Sequence, residues 1–346
     1  IWLTYCQAFQ WVFRQSPFRI TEPLQAPFKK ILRSVDNNKP NGILSSLLSA
    51  RRMLMFNEKR TRKSELLQIL LLDNLYAQSG SERIIFQGGT ALRFGYSGLR
   101  FSEDLDFVTD LPPEAIERVL TRTFHQTQRG CIAQFGPGQW EYKDKRTRTQ
   151  AAKGFFIYRP QTQRERIAVK MDFEMLKPGQ NPEFHKFILR DLPLVGGMIA
   201  EGTLILPYSS SILLIETLEE ILSDKIRAIY ERRYLKGRDI YDIWWLNKQL
   251  KIEPQRIKVE NKLHMYEAPF VLAREADYFQ KREAEARVIE ALKADLPRFL
   301  PVDIISIYEE EHFKEFFEIL KAVTSTLMEQ GMLEYFEAYE RKNIDH

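Results

Sequence analysis

The chain has 346 residues, of which 44% are hydrophobic and 28% charged, a balance that is ordinary for a globular protein with its own core. Its length exceeds the usual single-domain range, so two domains or one domain with helical extensions are expected. The two cysteines, Cys6 and Cys131, are too few for a disulfide framework and have no metal-ligand spacing, which favours a cytoplasmic protein. No apolar run reaches about 18 residues, so no membrane span is expected.

Residues 1–80 are predicted to form an N-terminal helical segment. The apolar opening, residues 1–13, is interrupted by Gln7 and Gln10, so we interpret it as a packing helix rather than a signal peptide. The missing initial Met suggests a longer gene product. A stronger helical pattern covers residues 64–77 and leads into the first core strand.

The most informative stretch starts with a short apolar run from Ile84 to Phe86. The run stops at Gly88 and Gly89, which is typical of a buried strand that ends at a turn. Thr90 is predicted to cap the helix that follows. Because glycines lack a Cβ atom, their backbone N–H groups can approach a ligand closely, and a helix N-terminus favours negative charge. The pattern therefore indicates a phosphate-binding turn.

Two aspartates follow on the next predicted strand. Asp104 and Asp106 alternate with Leu105 and Phe107, so the carboxylates share one face while the apolar side chains point into a core. Two such carboxylates repel each other unless a cation lies between them, and oxygen ligands select Mg²⁺ or Mn²⁺. A phosphate-binding turn beside a divalent metal serves nucleotidyl transfer. The alternative is a pair of surface aspartates on an edge strand.

The segments GGTALRFGY (88–96) and RFSEDLDF (100–107) resemble the Gly-Gly…Asp-x-Asp motif of the polymerase-β-type nucleotidyltransferase superfamily. They are most similar to the AbiEii/MenT group of toxin nucleotidyltransferases. The resemblance implies an α+β fold, with a polymerase-β-type core of mixed sheet and helices plus a helical C-terminal domain. It implies nucleotide binding by Gly88, Gly89 and Thr90. Ser102 could assist a phosphate, but it could equally end a turn.

Residues 81–207 are predicted to form the nucleotidyltransferase core. Its further predicted elements are a helix from Pro113 to about Gly130, strands at 132–135, 153–158 and 166–175, and a polar, basic linker at 141–153. We interpret the linker as a loop over the substrate.

The strand at 166–175 alternates between apolar and polar residues, which places Asp172 on its polar face. The superfamily resemblance implies that Asp172 is the third active-site carboxylate, as a metal ligand or as the general base for the attacking hydroxyl. The alternative is a strand carboxylate paired with Lys170 or a nearby arginine.

Residues 208–346 are predicted to form a C-terminal helical domain. Lys225 falls inside the apolar stripe of a helix at 216–233, where a lysine must extend to solvent or meet an anion. In the next helix Asp239 lies on the apolar side, with Asp242 at the edge.

The resemblance implies that a lysine and an aspartate from these two helices complete the active site, with Lys225 neutralising the triphosphate. Asp239 could instead cap its helix, and Asp242 is the substitute candidate if Asp239 is exposed.

Other motifs exclude several classes of site. The five histidines show no zinc-ligand spacing, and the chain has neither a P-loop nor a GxGxxG sequence. Trp244 and Trp245 are interpreted as core residues rather than a base-stacking platform. Basic clusters at 51–52, 59–63, 143–148 and 227–238 favour a nucleic-acid or polyphosphate partner, although such runs are usually solvated faces.

These observations predict a cytoplasmic, Mg²⁺-dependent (or Mn²⁺-dependent) enzyme that transfers a nucleoside monophosphate from an NTP co-substrate to an acceptor. The resemblance implies that the acceptor is tRNA and that the protein is a toxin held in check by an antitoxin encoded nearby. One alternative is an antibiotic-type enzyme that modifies a small molecule. Another is a nucleotide-binding interaction protein without catalysis, which the complete glycine and carboxylate set argues against.

Overall fold

The computed structural model describes residues 43–144, 151–162, 166–206 and 209–344, with side chains described for residues 60–143, 152–162, 166–206 and 209–341. Within these ranges the chain forms one seven-stranded sheet and eleven α-helices. The strands are β1 (Ile84–Gln87), β2 (Asp104–Thr109), β3 (Gly138–Asp144), β4 (Ala151–Pro160), β5 (Ile167–Met175), β6 (Phe184–Ile188) and β7 (Ile212–Glu216). The helices are α1 (Ile43–Tyr76), α2 (Gly88–Tyr96), α3 (Pro113–Phe135), α4 (Pro193–Ala200), α5 (Leu218–Glu231), α6 (Gly237–Trp244), α7 (Arg256–Met265), α8 (Arg282–Asp295), α9 (Val302–Glu310), α10 (Lys314–Glu329) and α11 (Met332–Ile344).

The sheet is mixed, with the strand order β3-β4-β5-β2-β1-β7-β6. Its central strands form two parallel pairs, β2 with β5 and β1 with β7, while β1 and β2 are antiparallel. The outer pairs β3–β4, β4–β5 and β6–β7 are antiparallel. The predicted α+β class, with a mixed sheet and a helical C-terminal region, is confirmed.

The two faces of the central strands differ in chemistry because side chains alternate along a strand. Every second residue of β5 is buried. Phe107 of β2 lies in a row of rings, with centroids 5.3 Å from Phe86 and 4.9 Å from Phe173. Burial of this apolar row fixes the register of the three strands, since a slip by one residue would expose it. The same register orders the carboxylates on the other face.

Several sequence predictions are confirmed and others are wrong. The strands predicted at 153–158 and 166–175 are present as β4 and β5. Residues 132–135, predicted as a strand, form the last turn of α3, because a short apolar run fits a helix as well as a strand. The predicted linker begins inside β3, whose pairing with β4 extends to Asp144, and the basic residues 145–150 lie outside the described part of the chain.

Helical structure throughout residues 208–346 is also wrong, because β7 lies there. Its sequence, ILLIE, is a continuous apolar run without alternation, as expected for a strand with neighbours on both sides. The proposed domain boundaries at residues 80 and 207 stay predictions, and residues 1–42 of the N-terminal segment lie outside the described chain.

The C-terminal helices pack around α6. Trp244 is buried with its ring centroid 5.0 Å from that of Phe316 and 5.7 Å from that of Tyr308. A Cβ atom at Gly237 would lie 2.4 Å from the carbonyl oxygen of Ala291, so only glycine allows α6 to approach α8 this closely. The interpretation of Trp244 and Trp245 as core residues is confirmed. Of the helices described, none is long and apolar enough to cross a membrane.

Candidate active site

A row of charged side chains crosses two central strands. In the parallel register of β2 and β5, Asp106 lies opposite Asp172, and Asp104 lies opposite Lys170. Residues that are opposite in register point to the same face of a sheet, so the three predicted carboxylates lie on one face. The polar face of β2 and β5 was predictable from alternation, whereas the pairing of the two strands was not.

Asp106 lies among like charges. Its pKa is raised from 3.8 to about 6 by burial and by the negative charges of Asp104 and Asp172, while Lys225 and Arg238 oppose the shift. Asp106 and Asp172 are opposite each other in the register of β2 and β5, so their like charges repel. It is the situation that a bound cation would relieve.

Asp172 has one oxygen in an ion pair and one without a partner. Oδ2 accepts a hydrogen bond from Lys170 Nζ, so the pairing weighed as the alternative for Asp172 is present. Oδ1 is buried and has no hydrogen-bond partner. A buried carboxylate oxygen is costly unless something compensates it, so Oδ1 is a candidate ligand atom.

The glycine turn lies directly against these carboxylates. Gly88 has φ +77°, and a Cβ atom there would lie 2.9 Å from Asp106 Oδ2. Helix α2 begins at Gly88, with Gln87 in the N-cap position, so the prediction that Thr90 caps the helix is wrong. Thr90 is buried and its hydroxyl donates instead to the backbone carbonyl of Asp104, which fastens α2 to β2. The start of α2 therefore lies against Asp104 and Asp106 of β2.

Ser102 is buried, and its backbone carbonyl accepts a hydrogen bond of 3.0 Å from the Gln68 side chain. The contact explains how the segment before β2 is fixed. Nucleotide binding by Ser102 stays a prediction, as it does for Gly88, Gly89 and Thr90.

Lys225 meets both aspartates of α6. Its Nζ atom lies 3.1 Å from Asp239 Oδ1 and 2.9 Å from Asp242 Oδ2. Each aspartate is only 2% exposed, so Asp239 is buried beside Lys225 and the exposure that would have made Asp242 its substitute is not found. The lysine in the apolar stripe of α5 therefore meets buried anionic partners.

Two arginines that the sequence did not single out share these aspartates. Arg100 Nε and Nη2 each donate to Asp242 at 2.5 Å, and Arg232 pairs with Asp239. Arg100 stands inside the RFSEDLDF segment, so its place in the motif was a usable signal. Its partner lies 142 residues away, and no local pattern indicates that contact.

The two aspartates stay ionised in this surrounding. Burial raises the pKa of Asp239, but Lys225, Arg232 and Arg238 more than offset it and hold the pKa well below its usual value. For Asp242, Arg100 and Lys225 likewise overcome the effect of burial and lower its pKa. Among these cations Arg238 forms no ion pair with a described residue, although it acts electrostatically on both Asp106 and Asp239.

The carboxylate row fits a divalent cation in part. Asp104, Asp106 and Asp172 supply hard oxygen donors, mutual repulsion and an unpaired buried oxygen. Within the described ranges, however, no three His, Cys, Asp or Glu side chains already stand as a metal-ligand group. Lys170 holds one oxygen of Asp172, so that side chain must adjust for all three carboxylates to share one ion.

A cavity of about 530 Å³ lies elsewhere, between β6 and α4. It is lined by Ile188, Arg190, Asp191, Gly196, Ile199, Ala200, Ser209, Ser210 and Ile212. None of the predicted site residues is among them, so this cavity is separate from the carboxylate row.

A glycine-led helix, an acidic row on a mixed sheet and a buried lysine define a site suited to phosphoryl chemistry. Residues 69–320, most of the chain, match the family described as nucleotidyl transferase AbiEii toxin, type IV TA system. The chain belongs to this family, which confirms the predicted family and the enzyme class, a nucleotidyltransferase. Membership in a toxin–antitoxin family implies an antitoxin partner and an NTP substrate.

Two solved structures from Helicobacter pylori are similar at 16% identity. The alignment with one of them, described as a candidate nucleotidyltransferase, covers 77% of this chain and 96% of the other chain, with a TM-score of 0.44. The alignment with the other, JHP933, covers 81% of this chain and 97% of the JHP933 chain, with a TM-score of 0.41. At these TM-scores neither similarity supports a conclusion about this chain. No curated protein matches it.

Proposed function

We propose that this nucleotidyltransferase acts in the cytoplasm as a toxin that transfers a nucleoside monophosphate from an NTP to tRNA, with Mg²⁺ or Mn²⁺ as cofactor. The observation that carries the proposal is the register of Asp106 opposite Asp172, with Gly88 against the Asp106 carboxylate. This juxtaposition gives one place for a metal-bound triphosphate.

Each group has a role in that proposal. The N–H groups at the start of α2 donate hydrogen bonds to phosphate oxygens. Lys225 provides a fixed positive charge for the triphosphate. Asp104, Asp106 and Asp172 would hold the cation, which when bound would supply Lewis acidity for the transferred phosphate and the acceptor hydroxyl. Asp172 serves as the third ligand or takes the proton of that hydroxyl. Asp239 and Asp242 orient Lys225 between them.

The positive charge around the site is the reason for proposing RNA as the acceptor. Lys225 and Arg238 both act electrostatically on Asp106, Arg238 has no ion pair with a described residue, and the chain as a whole carries a net charge of +4. A small cationic antibiotic would be served by an acidic surrounding, so the cations favour a polyanionic acceptor. The resemblance to the AbiEii/MenT group narrows the RNA to tRNA.

The test is incubation of the protein with each α-labelled NTP and total cellular RNA. We expect one or more labelled nucleotides to enter the tRNA fraction, and EDTA to stop the transfer. The double substitution Asp104→Ala and Asp106→Ala is expected to abolish labelling.

The matched control is Asp110→Ala. Asp110 follows the same strand but pairs with Arg83, away from the row, so this variant should keep its activity. Transfer retained by the double variant would contradict the mechanism.

A further inference from the structure

The loop between α5 and α6, residues 232–236, begins and ends beside the proposed active site. Arg232 at its start pairs with Asp239, and Arg238 just beyond its end acts on both Asp106 and Asp239. The loop is therefore held by an ion pair to Asp239, the residue of α6 that also contacts Lys225.

The loop presents an aromatic ring to solvent. Tyr234 is 72% exposed, and the guanidinium of Arg233 lies 5.4 Å from the centroid of its ring. Arg233 is itself exposed and forms no ion pair with a described residue. A large ring that the fold leaves uncovered, beside an unneutralised cation, is a surface that accepts a flat π-system attached to an anion.

The backbone on either side of Tyr234 is fixed. The guanidinium of Arg274 donates to three carbonyls, those of Ile229, Arg232 and Arg233, with the last at 2.9 Å. On the other side, Leu235 packs against the core. The exposure of Tyr234 is thus imposed by a clamped loop, and little ordering would be needed when a ligand stacks on it.

The positive charge of the loop favours an anionic ligand. Four cations, Arg232, Arg233, Lys236 and Arg238, lie within seven positions that contain no acidic residue. Burial lowers the pKa of Lys236, and the neighbouring Arg232 and Arg238 lower it further, as expected where positive potential accumulates. A protein partner recognised by this loop would need a matching acidic surface, whereas a polynucleotide supplies phosphates and bases together.

We propose that Tyr234 and Arg233 form the docking site for a single-stranded segment of the RNA acceptor. An unpaired base stacks on Tyr234, and the adjoining phosphate meets Arg233. The site rests on the proposed function, since it holds the acceptor whose hydroxyl must reach the carboxylate row. A base in a duplex is already stacked, so the site is specific for unpaired nucleotides.

The test is equilibrium binding of a fluorescent single-stranded RNA oligonucleotide to the full chain, without NTP, so that the result is independent of catalysis. Tyr234→Ala should weaken binding about 5- to 150-fold, while Tyr234→Phe, which keeps the ring, should stay within about twofold. Arg233→Ala should lower the slope of log Kd against log salt by about 0.7, the loss of one phosphate contact. Arg287→Ala is the charge-matched control, because Arg287 is 70% exposed on α8, and it should change neither quantity.

A second measurement distinguishes an effect on the RNA acceptor from an effect on the NTP donor. Where transfer is measured, Tyr234→Ala should raise the KM for RNA and leave the KM for NTP unchanged. A Kd of the Tyr234→Ala variant for the RNA within twofold of the wild-type Kd would overturn the inference. Absence of transfer with Tyr234-dependent RNA binding would instead contradict the proposed function alone.

Discussion

At the scale of single residues, Asp106 makes stability depend on pH. Its pKa in the folded protein, about 6, lies above the unfolded value of 3.8, so the folded state holds the proton more tightly. The stability that this group contributes is complete below about pH 4 and is lost as the pH rises through about 6. The difference of about 2 pKa units corresponds to at most about 3 kcal/mol.

We therefore expect Asp106→Asn to raise the melting temperature at pH 7.5 in EDTA and to change it little at pH 4. Asp110→Asn is the control with the opposite sign, because the hydrogen bond from Arg83 lowers the pKa of Asp110 and its loss should destabilise the protein at pH 7.5. The measurement is thermal unfolding by circular dichroism. A lower melting temperature for Asp106→Asn at pH 7.5 would contradict the repulsion described here.

Gly88 combines a backbone requirement with a close approach. Gly88→Ala must adopt φ +77° and bring a methyl group against Asp106, so we expect loss of nucleotide transfer together with about 1–3 kcal/mol of stability. Gly136 has φ +82° with nothing within 4 Å of an added Cβ atom, so Gly136→Ala carries the backbone strain without the contact. Comparison of transfer rates and urea unfolding in the two variants isolates the contact. Equal activity in both would show that the approach to Asp106 is unimportant.

The sequence was sufficient for residues whose role is local. Gly88, Asp104 and Asp106 stand at a spacing that indicates their position on a turn and a strand, and the structure places them together. Thr90 was misjudged because a threonine near a helix start usually caps it, whereas here the helix begins two residues earlier. The correct hydrogen bond joins α2 to another strand and has no local signature.

At the scale of elements, α6 is joined to the segment before β2 by a buried ion pair. Arg100 and Asp242 are each 4% or less exposed, and removing one partner would leave the other charge buried. A double-mutant cycle of Arg100→Met and Asp242→Asn, read by urea unfolding, should give a coupling energy of about 2–3 kcal/mol.

The exposed pair Arg83 and Asp110 provides the comparison. Their side chains are 48% and 29% exposed, so the same cycle there should give less than about 1 kcal/mol. Similar coupling in both cycles would mean that burial of the Arg100 pair adds nothing.

Elements with a clear period were predictable and those without one were not. The alternation of β5 and the apolar stripe of α5 are confirmed to within two residues of their predicted ends, whereas α3 extends five residues beyond its predicted end at Gly130. The continuous apolar run of β7 has no period, and the short run at 132–135 fits either structure. Strand order is a property of the whole sheet, so the pairing that brings Asp172 to Asp106 had to come from the fold or from the resemblance.

At the scale of the whole molecule, the C-terminal part contributes directly to the site. The Phe101 N–H donates to the Phe299 carbonyl at 2.8 Å, and the exposed side chains of Arg298 and Glu103 pair at 3.1 Å. The guanidinium groups of Arg100 and Arg238 lie 5.8 and 5.7 Å from the centroid of the Phe299 ring. The sequence predicted only helices in this part of the chain. In the structure, the Phe299 ring lies beside the guanidinium groups of both arginines.

The contact between Phe101 and Phe299 has a consequence for how the protein is made. Glu103 and Arg298 are 195 residues apart, and a ribosome must synthesise most of the chain before the two meet. Until then the segment leading into β2 has its contacts with Gln68 and Thr90 but not the backbone hydrogen bond to Phe299. A fragment that ends before residue 298 would therefore contain every carboxylate of the row but would lack the contacts that Arg298 and Phe299 make with the segment before β2.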